Sequence, residues 1–204
     1  MSELVLYHAV PSRASVVLWM LEEIGQPYRV ELLDLKAGAG RDPAYRPINP
    51  MGKVPALVHD GVAIAESAAI CAYLADTFPR AGLAVPVGER LRGPYLKWLF
   101  FGPSCLEPAI TDQAFPRTAE PPRGALGYGD FDTVIAVLAD AVRGRSAIVG
   151  DRFTAADLVI GSGLIWGMAF KIVPERPEFV AYTAALKERP ARQRASARDE
   201  AWAA

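Results

Sequence analysis

Apolar and polar positions alternate with two different rhythms along this chain. Leu4 to Tyr7 is a short apolar run of the kind that fills a buried strand. From Ser12 to Ile24 the apolar residues Val17, Met20, Leu21 and Ile24 recur at helical spacing, and Gly25 supplies a stop. Tyr28 to Leu33 reads as a second strand. A strand–helix–strand unit of this length predicts that it runs parallel to the first. Residues 36–48 hold two glycines, two prolines and scattered charge, which predicts a loop with at most one helical turn. Ala56 to His59 and Val62 to Ala65 flank Asp60-Gly61, a hairpin signal. Glu66 to Phe78 then reads as an apolar helix. The predicted order is β-α-β followed by β-β-α.

Past residue 80 the strand rhythm stops. Pro79 to Pro86 has two prolines and a glycine and reads as a linker, dividing the chain into domains at 1–80 and 87–204. Glu89 to about Phe115 predicts one long helix, with Pro94, Pro103 and Pro108 setting a late start or kinks. Residues 116–129 form a Pro- and Gly-rich loop. Asp130 to Val142 is amphipathic. Thr154 with Asp157 three residues on is a capping box for a helix reaching about Lys171. Pro177 and Pro190 stand where helices begin.

Composition narrows the function classes. Hydrophobic residues make up 51% of the chain, enough for a sizeable core. The net charge of −1 carries no electrostatic footprint for nucleic acid or an anionic membrane. Arg189, Arg192, Arg194 and Arg198 are basic, but Glu188, Asp199 and Glu200 dilute them into a solvated helix face. Leu158 to Phe170 is the longest uncharged apolar run, too short for the about 20 residues that span a bilayer. Two cysteines, Cys71 and Cys105, make no disulfide framework, and no C-x-x-C is present. With no signal peptide legible at the start, a reduced, cytoplasmic protein is expected. His8 and His59 have no metal-ligand spacing, so no metal is expected.

The chemistry concentrates in residues 49–67, N-P-M-G-K-V-P-A-L-V-H-D-G-V-A-I-A-E-S. Pro55 at the mouth of a strand forces Val54 into an extended shape. With that bond cis, Val54 would present its backbone N–H and C=O to an extended peptide as an added strand. Ser67 at a helix start would place a hydroxyl and unpaired N–H groups where a carboxylate binds. Lys53 can hold a second carboxylate and Glu66 an ammonium. Such a site fits a short peptide with two carboxylates and one amine, and glutathione is such a peptide.

Here the chain resembles the cytosolic, thioredoxin-fold superfamily of glutathione S-transferases. The N-P-x-G-x-V-P turn and the Glu66-Ser67 pair match that family's glutathione-site motifs, and Thr154/Asp157 matches its second-domain capping box. The opening L-V-L-Y-H-A-V-P-S-R-A-S is similar to bacterial and fungal members with an S-R-x-x start to the first helix. The resemblance implies a thioredoxin-like α/β N-terminal domain, an all-α C-terminal domain, and a C2 homodimer. It implies conjugation of the glutathione thiolate to small hydrophobic electrophiles, as in detoxification. The electrophile site would lie between the domains, with Tyr95, Trp98, Phe101 and Phe115 as aromatic surface. Another glutathione-dependent reaction (isomerisation, peroxide reduction, dehalogenation) and a non-catalytic binding or regulatory role are the competing readings.

Such an enzyme must supply a thiolate. Lowering a thiol pKa from about 8.5 to about 6.5 takes roughly 2.7 kcal/mol. One hydrogen bond to the charged form contributes about 1.5–3 kcal/mol, and a helix N-terminus about 0.3–1 kcal/mol. Ser12, five residues past Tyr7 at the strand-to-helix turn, is the expected catalytic hydroxyl; serine-type relatives carry theirs in this loop. Capping of the helix is its competing role. Ser15 and Arg13 are the alternatives for thiol activation, and Tyr7 is assigned to core packing. Lys53, Val54, Pro55, Glu66 and Ser67 are expected to bind glutathione, with Lys36 and Arg41 as further carboxylate partners. A turn, a solvated lysine, a first-turn acid and a simple cap are the corresponding structural roles. Cys71 is expected in the core, and Cys105 is a candidate reactive thiol.

Overall fold

A computed structural model of the chain describes residues 3–119 and 121–203. It divides into two compact units: Met1–Leu83 with Arg189–Ala204, and Ala84–Glu188.

The first unit is built on a four-stranded sheet in the order β2-β1-β3-β4. The strands are β1 (Leu4–His8), β2 (Arg29–Leu32), β3 (Ala56–His59) and β4 (Val62–Ala65). β1 and β2 pair in parallel, with His8 opposite Leu32, while β3 is antiparallel to both β1 and β4. This is the thioredoxin-like arrangement the element order predicts. Helices α1 (Ala14–Ile24) and α2 (Ser67–Thr77) complete it. Leu6, Leu18, Leu57, Ile70 and Leu74 form the fully buried centre. Gly25 ends α1 in the left-handed conformation (φ 65°), donating its N–H to the Leu21 carbonyl.

α1 is buried more completely than an amphipathic helix on a sheet requires. Val17, Leu18, Trp19, Met20 and Leu21 are all fully buried in succession, so the helix is covered on more than one side. The cover is α8 (Pro190–Ala203). By sequence α8 belongs with the domain at 87–204; in the structure it packs on α1. Arg194 and Arg198, with Arg189 just before the helix, are partly exposed but also pair with carboxylates of α1. Arg189 grips Glu23 through Nε (2.6 Å) and Nη2 (2.8 Å), and Arg194 and Arg198 reach Glu22 at 2.6 and 3.1 Å. Arg192 lies over the Trp19 ring, 5.5 Å from its centroid. His8, isolated in the sequence, is fully buried, with Nε2 2.7 Å from Asp199 Oδ1 and its ring 5.4 Å from that of Trp202. Apart from Trp202 the apolar residues of α8 are alanines, and its ion pairs with α1 are not revealed by a hydrophobic pattern.

The second unit is helical: α3 (Arg92–Phe101), α4 (Glu107–Ala114), α5 (Phe131–Val142), α6 (Ala155–Ala169) and α7 (Pro177–Lys187). A π-helical turn at Gly102–Leu106 joins α3 to α4, so the expected long helix exists with a widened turn where Pro103 cannot donate. Asp130 caps α5 by accepting from Thr133 N–H at 2.7 Å. Pro177 opens α7 and Pro190 opens α8, as expected. Asp157 is completely buried. Its Oδ2 accepts from Thr154 N–H (2.8 Å) and Oγ1 (3.0 Å), while Oδ1 accepts from Ile148 N–H (2.6 Å) and Tyr182 O–H (2.8 Å). Burial pushes its carboxyl up against the pull of those donors. Cβ atoms added at Gly102, Gly163 and Gly167 would meet Val159, Leu106 and Val173, so glycine lets the α3–α4 arm and α6 approach closely. The predicted linker is more ordered than its composition implies: Leu83 and Val85 are both buried.

Candidate functional site

Strand register assembles the site. Tyr7 lies opposite Ala56, and Ala56 opposite Ala65, so three strands end in one row across the sheet. β1 leads from that row into Ser12, Val54 and Pro55 enter it, and Glu66 and Ser67 leave it. Residues more than fifty positions apart are thereby gathered at one end of the sheet, at the carboxyl ends of β1 and β2.

Ser12 is half-buried and precedes α1. Its Oγ accepts from Ala14 N–H at 3.1 Å, and its carbonyl accepts from Ser15 N–H at 3.3 Å. The capping role expected of Ser12 is therefore present in this local form. Because Oγ serves there as acceptor, its own proton stays available for donation. Arg13, with helical φ, is the N-cap position and is exposed; Ser15 lies in the first turn. Tyr7 is half-buried with its ring 5.4 Å from that of Tyr45, at a tilt of 44°.

The turn at 49–55 is held from within. Asn49 Oδ1 accepts from Met51 N–H (3.0 Å), and Gly52 N–H donates to the Asn49 carbonyl (2.8 Å). Gly52 has φ 64°, and a Cβ there would strike the Gly40 carbonyl, so two glycines let the 38–42 segment close on the turn. Val54–Pro55 is cis, as is Val10–Pro11, which the sequence did not flag. Among the described residues, none hydrogen-bonds the Val54 backbone. The Lys53 side chain is exposed, but its carbonyl accepts from Tyr45 O–H (2.5 Å) and Asn49 Nδ2 (2.8 Å). Burial raises the Tyr45 phenol to about 12 and keeps it a donor.

Glu66 is not a first-turn acid. It is the N-cap of α2, at φ 71° and ψ 116°, with no side-chain capping bond, and it is exposed. Ser67 is the first helical residue. The first helical hydrogen bond runs from Ile70 N–H to the Glu66 carbonyl (2.9 Å), which leaves the N–H groups of Ser67, Ala68 and Ala69 without a helical acceptor. Among the described residues none bonds the Ser67 hydroxyl, which stands at the positive end of α2.

Other candidates fall elsewhere. Lys36 and Arg41 are exposed on the 36–48 loop. Cys71 is fully buried, its thiol pushed up to about 12 by burial. Burial also raises Cys105, in the π-helical turn, which works against a reactive thiolate. Tyr95 and Trp98 are buried in the second unit, while Phe115 is exposed. Sequence reasoning overlooked Tyr45, whose only signal was being the one aromatic residue in the 36–48 loop. It also overlooked Arg46, whose Nη1 would lie 3.6 Å from a Cβ at Gly52. Among the described residues no group of three or more His, Cys, Asp or Glu could hold a metal ion. No described helix is long and apolar enough to cross a membrane.

The mixed four-stranded sheet, the N-P-x-G-x-V-P turn with its cis proline and the start of α2 define a thioredoxin-fold class of protein. Comparison with known proteins agrees. The glutathione S-transferase N-terminal domain family matches residues 2–76. The chain is 31% identical over 173 residues to glutathione S-transferase GstA of Escherichia coli O157:H7, covering 83% of this chain and 86% of the relative. It is 33% identical over 147 residues to glutathione S-transferase GST-4.5 of Xanthomonas campestris pv. campestris, covering 69% of this chain and 71% of the relative. A sphingomonad glutathione S-transferase solved in complex with glutathione superposes with a TM-score of 0.80 at 28% identity, covering 96% of this chain and 98% of that one. The chain belongs to the glutathione S-transferase family of enzymes.

Proposed function

We propose that this enzyme conjugates the thiolate of glutathione to small hydrophobic electrophiles, as a cytoplasmic homodimer serving detoxification. The observation that carries the proposal is the Tyr7–Ala56–Ala65 row, which brings the Ser12 loop, the unpaired Val54 backbone and the start of α2 to one edge. The Ser67 hydroxyl and the free N–H groups of α2 take the γ-glutamyl carboxylate. Glu66 takes its ammonium. Val54, held extended before Pro55, pairs with the peptide backbone, and Lys53 meets the glycyl carboxylate, assisted by Lys36 or Arg41. Ser12 donates its free proton to the sulfur, favouring thiolate over thiol. The thiol proton passes to solvent, the sulfur lone pair forms the new bond to carbon, and the electrophile's leaving group departs or its π-bond accepts the electrons.

The test is Ser12→Ala. Loss of one charge-assisted bond of about 1.5–3 kcal/mol lowers the chemical step roughly ten- to a hundredfold. The pKa of bound glutathione, followed by thiolate absorbance, rises by about one to two units. Glutathione affinity near neutral pH falls much less, and Ser15→Ala costs only helix stability. The reverse pattern transfers the role to Ser15. An unchanged thiol pKa in both variants leaves Arg13 and the helix N-terminus as activators and removes Ser12 from the mechanism.

A further inference from the structure

We propose that Tyr45 and Asn49 are positioning residues for glutathione, fixing through the Lys53 carbonyl the direction in which Val54 presents its N–H. The inference rests on the assignment of Val54 to the glutathione backbone. The Lys53 carbonyl and the Val54 N–H belong to one planar unit, and that unit is trans, so the two groups point in opposite directions. Two donors converge on the carbonyl, Tyr45 O–H at 2.5 Å and Asn49 Nδ2 at 2.8 Å. Both side chains are buried, Tyr45 to 3% and Asn49 to 4% exposure. With the carbonyl drawn inward by both, the Val54 N–H is turned outward, where among the described residues nothing accepts it.

The donors are themselves fixed. The Tyr45 carbonyl accepts from Ile48 N–H (2.8 Å) and Asn49 N–H (3.1 Å), so the segment carrying both side chains is one hydrogen-bonded turn. Asn49 uses its other amide atom on Met51 N–H, which assigns Nδ2 to the carbonyl. The Tyr7 ring at the end of β1 packs on Tyr45 and closes its remaining freedom. A peptide plane secured this way presents a pre-oriented donor, and binding then loses less conformational freedom. Neither side chain needs to touch the ligand for affinity to depend on it.

Tyr45→Phe keeps the ring and removes only the hydroxyl. Calorimetry and steady-state kinetics should show the glutathione Kd and KM rising about fivefold, the equivalent of one neutral hydrogen bond. The KM for the electrophile should stay put and kcat should change less than the glutathione KM. Asn49→Ala removes the other donor together with the acceptor for Met51 N–H, and should give a rise of the same sense in a variant whose far-UV circular dichroism matches the wild type. A merely structural hydroxyl would lower the unfolding midpoint and leave the glutathione KM alone. That result, in a wild-type protein that binds glutathione, overturns this inference while sparing the site. A wild-type protein that does not bind glutathione overturns both.

Discussion

Glu66 holds a backbone conformation that a residue with a Cβ seldom adopts, at φ 71° immediately before α2. Conformations of this kind cost about 1–3 kcal/mol and persist where the surroundings impose them. The effect here is to turn the chain from β4 into a helix start that carries the Ser67 hydroxyl and three N–H groups without a helical acceptor. Ser67→Ala should therefore weaken glutathione binding by about 1–3 kcal/mol, the loss of one donor to a carboxylate. Far-UV circular dichroism should barely change. Unaltered affinity by calorimetry would remove the γ-glutamyl group from this helix start. At this scale the turn itself was legible because Pro55 and Gly52 have special backbone preferences, and Ser67 because serine favours helix starts. The strain at Glu66 was not legible, because glutamate carries no preference for positive φ. Tyr45 was not legible either: its contact with Lys53 spans eight positions in a loop, where no periodicity points to it.

Among the elements, α1 and α8 are joined by carboxylates that were invisible to a hydrophobic reading. Burial would raise Glu22, but hydrogen bonds from Tyr28 (2.5 Å) and Arg194 and the charge of Arg198 outweigh it and hold the carboxyl below its ordinary range. A depressed folded-state pKa adds stability that is present above the unfolded value and lost as pH falls through the folded one. Stability should thus decline below the ordinary carboxylate range of about pH 4.3. Glu22→Gln should be less stable near neutral pH by about 1–3 kcal/mol and should show a shallower acid decline. Denaturant titrations at several pH values measure both; an identical acid slope in the variant would mean Glu22 is not a linked group. In the second unit, α6 depends on absent side chains. A Cβ at Gly167 would meet Val173 at two atoms and Ile110 Cδ1 at 3.2 Å, and β-branched Val173 cannot swing aside. Gly167→Ala should cost about 1–3 kcal/mol despite its better helix propensity, read as a lower thermal midpoint. The helices of this unit were legible from caps and prolines. Their close approach was not, since a glycine in a helix looks like a weak point until its neighbour is known.

For the whole molecule, the two units part between Leu83 and Ala84, within the Pro- and Gly-bearing segment, and residues 189–204 fall with the first unit, a return that no composition shift signals. α8 fully buries only Ala191 and Ala195 and carries three arginines, and that pattern does not distinguish a docked helix from a solvated one. The proposed homodimer belongs to this scale. Val62 and Met51 in the first unit, and Trp166 and Phe170 in the second, leave large apolar side chains exposed. Light scattering at micromolar concentration should give twice the chain mass of 22.0 kDa. A mass near 22.0 kDa would refute the dimer. The placement of α8 also sets a timetable for the ribosome. When Leu83 has been synthesised, His8, Glu22 and Glu23 have no Asp199, Arg194 or Arg189 to meet, and Ala84–Glu188 must be translated first. At about 5–20 residues per second that is a wait of roughly 5–20 s. During it the nascent first unit carries an uncovered Trp19 face beside unanswered charge, and the helical unit, whose segments are contiguous, is free to finish before it.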